Sequence, residues 1–240
     1  SSFLKESWAK MIPGLDAYVL TLRTYFAVDN DYVLQKIKNI MFPFLKKEWQ
    51  RNIKGYGGPD GSEPQYDLPI ADENAPDLYL PSMSLITYTL LSALLYGNAG
   101  KFNPEVIPAV TTKCFLTQVL EVVFIRFGVY LLMSLQKNNQ NTKVIALLDL
   151  LSYTGYKYLG LSVNMLLALM AKHFGLGVRV YYISFLWTAS AASFFMFKTM
   201  NNVVPTTYIA ETDSKRAILV IIFAAAQFVT MWFVSQTKFL

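Results

Sequence analysis

Hydrophobic side chains make up 54% of the 240 residues and Asp, Glu, Lys and Arg only 15%, against about 25% charged in an ordinary soluble domain, so a water-soluble globule is a poor description. The one cysteine, Cys114, excludes an intramolecular disulfide framework, and together with the one histidine, His173, it argues against a structural zinc site. The net charge of +5 and pI near 9.1 do not mark a nucleic-acid partner: residues 1–79 carry nine basic and eleven acidic residues, and the basic excess lies in 80–240, where Lys and Arg mostly flank apolar runs.

Residues 1–79 hold twenty of the 37 charged residues and read as an arm outside the bilayer. No basic region followed by a short apolar run opens the chain, so no signal peptide is expected. The start at Ser-Ser, without Met, leads us to expect a missing upstream segment. A helix is predicted over Asn30–Asn52, with Asp29 or Asn30 as N-cap. Val33, Ile37, Ile40 and Phe44 recur at helical spacing with Lys36, Lys38, Lys46 and Lys47 around them. Two readings are open: a helix lying on the membrane surface, or a face packed on the chain's own membrane helices. Pro43 is expected to kink or split it. Residues 55–76, rich in Gly, Pro and acid, read as a flexible linker, and the Gly-rich KGYGGPDG within reach of it has no strand–helix context for a phosphate cradle.

Five apolar spans follow, at about Leu80–Tyr96, Cys114–Leu135, Val144–Met170, Val178–Phe197 and Ile218–Val234. Each approaches the ~20 residues a bilayer crossing needs. The fold class expected is therefore all-α: a polytopic membrane protein, a bundle of five transmembrane helices in 80–240 preceded by an N-terminal cytosolic arm. Tyr79, Tyr181, Tyr182 and Trp232 lie near span ends as interfacial anchors. With the N-terminus in the cytosol, fourteen basic residues face it and five (Lys101, Lys113, Lys172, Arg179, Lys238) face the other side. The long first segment decides that count, so the orientation leans on it.

Four charges fall inside the spans: Glu121, Arg126, Asp149 and Lys157. Spacing within each helix misses the i,i+3/i+4 relation. The second and third spans are joined by the short polar QKNNQNTK and should form an antiparallel hairpin. Glu121 then lies level with Lys157, and Arg126 with Asp149, so two interhelical ion pairs are expected. They serve either to fix the hairpin's register or as parts of a proton or ion pathway. His173 is placed in a short loop. No Walker-type GK[ST], GxSxG or HExxH motif appears, and neither an enzyme nor a bound cofactor is expected.

YFAVDNDYVLQKIKNIMFPFLKKEW at 25–49, APDLYLPSMSLITY at 75–88, FNPE at 102–105, DLLSYTGYKYLG at 149–160 and AAAQFVTMWF at 224–233 resemble, in order and spacing, the Yip-interacting factor family. The resemblance implies five spans, a cytosolic N-terminus and a short lumenal tail. It also implies residence in Golgi and endoplasmic reticulum membranes and COPII-type vesicles. Members work in ER-to-Golgi transport as heteromers with a Yip-type membrane partner, in association with Rab-type GTPases. Asp77, Leu78 and Tyr79 resemble the DLY element at the membrane entry of the wider group, which usually continues with Gly where this chain has Leu80. The resemblance gives Asp77 and Tyr79 the placing of the arm at the bilayer, with helix capping as the plainer alternative. To Asp149, Tyr156 and Lys157 it gives the ordering of the bundle or of a partner surface. The expected function is a membrane adaptor in that traffic. The alternative is a small transporter, channel or lipid scramblase using the buried charges, and a third reading is a protein that only bends membranes.

Overall fold

The computed structural model describes residues 15–55, 65–67, 69–135, 145–175, 177–204 and 210–235. Their regular elements are helices apart from one short antiparallel pair, β1 (Ile53–Gly55) with β2 (Gln65–Tyr66). The arm contributes α1 (Leu15–Tyr25), α2 (Asn30–Met41) and a 3-10 turn, Pro43–Leu45. The rest is α3 (Tyr79–Asn98), α4 (Val106–Leu135), α5 (Leu147–Gly155), α6 (Lys157–His173), α7 (Arg179–Val203) and α8 (Ala210–Val234).

Asp29 caps α2, its carboxylate accepting the Asn30 N–H at 2.7 Å. The expected helix to Asn52 instead stops at Met41, because Pro43 lacks an N–H and sterically disfavours helix before it. Residues 56–64 and 68 of the expected linker lie outside the described residues; its end, 69–76, is not a flexible tether. Asp72 holds it with its carboxylate, accepting the N–H of Asn52 and of Asn74, each at 2.9 Å.

α3, α4, α7 and residues Asp213–Val234 of α8 are long and apolar enough to cross a membrane. The expected third span is the exception: it divides into α5 and α6 at Tyr156, so a fifth continuous helix is absent there. Tyr156 keeps right-handed helical angles, but the Leu159 N–H reaches its carbonyl three residues back, tightening the turn. Ser152 and Thr154 donate their hydroxyls to the carbonyls of Leu148 and Leu150 four residues back, a bonding that bends helices. Gly155 lets the bend press against α3: a Cβ there would stand 2.7 Å from that of Pro81. His173 is the last residue of α6 rather than a loop residue.

Two packed clusters fill the bundle. One, beneath the arm, joins Ile40, Leu80, Ile125, Tyr153, Tyr156, Phe195 and Phe223; the other joins Tyr88, Cys114, Tyr158, Met165, Phe185 and Met231. Arg216 ties the start of α8 to the end of α7, donating to the carbonyls of Val204 and Asn201.

Candidate functional site

The arm folds back on the bundle through a buried polar junction centred on Asp77, which has no exposed surface. One carboxylate oxygen accepts the Leu80 N–H at 2.9 Å, capping the start of α3. The other accepts the Tyr156 hydroxyl at 2.8 Å and lies 3.2 Å from the Tyr32 hydroxyl of α2. Tyr156 in turn accepts the Asp77 N–H at 3.0 Å. The Tyr32 hydroxyl, with one proton to give, lies 2.9 Å from the Ala75 carbonyl as well.

Lys36, one helical turn beyond Tyr32, completes the junction. It is 1% exposed, donates to the carbonyls of Glu73 and Ala75 at 2.8 Å each, and sits 5.5 and 5.2 Å from the ring centroids of Tyr32 and Tyr156. Burial pushes its ammonium down to about 7, against the pull of Asp77. Burial, with the Asp77 charge adding to it, drives the Tyr32 hydroxyl upward. A lysine expected on a charged helix face is therefore inside, where two carbonyls and two aromatic faces replace water.

Of the expected amphipathic face, Ile40 is buried and Val33 and Ile37 pack against the same cluster, so this face lies on the chain's own helices. Phe44 has left it. The Pro43 turn carries Phe44 onto α7, its ring 4.7 Å from Phe194 and 5.9 Å from Trp187. Leu78 is buried and donates its N–H to the Tyr25 carbonyl at 3.1 Å, while Tyr79 is half-buried at the first turn of α3.

Glu121 and Lys157 are in ion-pair contact, both buried, and Thr230 of α8 lies 3.3 Å from the Lys157 ammonium. Arg126 and Asp149 are not brought together. Asp149 meets the Tyr25 hydroxyl and lies 3.7 Å from the Arg51 guanidinium. Arg126 is exposed and lines a cavity of about 480 Å³ with Val129, Tyr130, Met133, Ser134, Ile145 and Leu150. Leu150 and Asp149 are neighbours on a helix and project about 100° apart, so with Leu150 toward Arg126, Asp149 turns to the arm. Matching depth along two helices says nothing of which way a side chain faces.

Tyr25, Tyr32 and Arg51 carry no motif of their own in the sequence, while Asp72 belongs, with Glu73 and Asp77, to the acidic run at the first membrane entry. The only signal for them is this acidic, Pro-bounded ADENAPD stretch, which offers carboxylates and bare carbonyls to any nearby cation or hydroxyl. Among the described residues, no three His, Cys, Asp or Glu side chains are grouped to hold a metal.

Helices long and apolar enough for a bilayer, with an arm locked onto one end by buried polar contacts, define a helical membrane protein. The chain belongs to the YIF1 family, whose sequence model matches residues 3–235. It is 29% identical to protein YIF1B of Danio rerio over 98% of this chain and 74% of that one. With YIF1B of Homo sapiens the identity is 32%, over 76% of this chain and 52% of the relative. With the "protein transport protein yif1" of Schizosaccharomyces pombe it is 30%, over 89% and 71%. The aligned region thus covers from about half to three quarters of these relatives. No solved structure matches the chain.

Proposed function

We propose that this chain is a non-enzymatic membrane adaptor in ER-to-Golgi vesicle transport, working as a heteromer with a Yip-type membrane protein and associating with Rab-type GTPases. Family membership and the yeast relatives' names, protein transport proteins, support the transport part. The observation that carries the adaptor part is the buried Lys36–Asp77–Tyr156 junction, which makes the arm a fixed platform on the bundle rather than a tether. In this reading α3, α4, the bent α5–α6 pair, α7 and α8 make five crossings, with the arm in the cytosol and the C-terminus in the lumen of Golgi and endoplasmic reticulum membranes. The test is purification of the chain in mild detergent with identification of what accompanies it. A stoichiometric Yip-type protein, with a GTPase at lower yield, is the expected result. A homomer without either sinks the reading.

A small transporter, channel or lipid scramblase is the second reading. It draws support from Gln227 of α8, whose side-chain amide is buried with no hydrogen-bond partner among the described residues, a group for which a water or an ion is one usual partner. Flux across vesicles carrying the purified chain separates the two readings.

A further inference from the structure

We propose that the turn Phe42–Leu45 is inserted into the acyl-chain layer of the leaflet on the arm side, as a short re-entrant wedge beside α7. The arm then holds the membrane by this turn and not by the face of α2, which the bundle already covers. Three observations carry it. Phe42, Phe44 and Leu45 are 46, 51 and 71% exposed, three large apolar side chains presented together by the Pro43 turn. They lie on the outer face of α7: Phe42 and Phe44 both pack on Trp187, and Phe44 on Phe194. That face continues along α7, away from the arm, into Leu186 and Ile183, 61 and 71% exposed.

Depth follows from the helix rise. Counting inward from the arm-side end of α7, Lys198 is the first charge, and Val180–Phe197 contains none. Phe194 and Trp187 lie four and eleven residues past Lys198, about 6 and 16 Å along the axis. A turn seated on both is well inside the layer that covers α7. The exposed Lys38 and Lys47 stand on either side of it, and their ammonium groups reach back to the phosphate level while the turn stays in hydrocarbon. An apolar patch of this kind in water is a liability; in a leaflet it is solvated. What covers the turn is the arm-side leaflet that surrounds the outer face of α7.

The inference rests on α7 crossing the bilayer, so the test labels both. In the full chain with Cys114→Ala, an environment-sensitive fluorophore is attached at Leu45→Cys, and in a second sample at Leu186→Cys. Each protein is reconstituted alone into phosphatidylcholine vesicles bearing nitroxides on either the acyl chain or the headgroup. At position 45, acyl-chain nitroxides are expected to quench at least about twofold more than headgroup ones, with aqueous iodide ineffective. Quenching of 45 by iodide or by the headgroup nitroxide, with 186 quenched from the chain, overturns the wedge and leaves α7 in the membrane. That outcome also fits a protein partner as the cover of the turn. Iodide quenching at both positions overturns the membrane reading itself.

Discussion

Lys36 occupies the environment that departs furthest from what its neighbours in sequence suggest. Its free form has an ordinary value of 10.5, and burial brings it to about 7. Asp77, Asp72, Lys46 and Arg51 all act on it, but desolvation prevails. Between those two values the undocked chain holds a proton that the docked one has shed, so docking strengthens as pH rises through that window; below about 7 the buried charge costs its full amount. Proteolysis of the arm in detergent is therefore expected to slow from pH 7 to about pH 9.5, and this slope should flatten in Lys36→Met. A slope unchanged in the variant assigns the effect to other groups. Helical periodicity identifies which residues share a face but not what covers it. Lys36 is buried because the 72–77 segment closes over it, and that segment is invisible to the periodicity.

At the scale of elements, the contact between α4 and α6 is the most exposed to mutation. Lys157→Met alone strands the buried Glu121 carboxylate and is expected to cost about 3–5 kcal/mol. The double variant Glu121→Leu, Lys157→Met strands neither and should unfold close to the wild type. Thermal unfolding in detergent distinguishes them; a double variant as unstable as the single one would mean that the pair does more than cancel itself. The apolar spans were legible in composition, since a bilayer solvent requires an uninterrupted apolar run. The bend at Tyr156 was not: Ser, Thr and Gly are all tolerated in membrane helices, and only the Ser152 and Thr154 back-bonding together with the close approach of Gly155 to Pro81 shows why this run divides. Equal depth brought Glu121 to Lys157, whereas the rotation of α5 sent Asp149 to Tyr25 and Arg51.

For the molecule as a whole, the arm and bundle form one body through contacts at two levels: Asp77 with Tyr156, and Asp149 with Tyr25 and Arg51. Asp149→Asn removes the charge of the second while leaving the first. It is expected to raise the rate of arm cleavage several-fold without lowering the bundle's unfolding temperature, as a local opening does. Faster cleavage accompanied by a lower unfolding temperature of the bundle would show that arm and bundle unfold together. The family's placement in a membrane was legible from the spans, while the locking of the arm was not, because its partners are far apart along the chain.

That separation governs assembly. Tyr25 waits for Asp149, 124 residues later, and Asp77 for Tyr156, 79 residues later. A ribosome releases the arm long before either partner exists, so Asp77 stays hydrated until the Gly155–Lys157 bend has been delivered. Closure of the arm thus reports that the bend has been synthesised and seated. A nascent chain stalled before Asp149 displays an open arm, with Lys36, Tyr25 and Tyr32 in water, and is chemically distinguishable from the finished protein by any factor that surveys that side of the membrane.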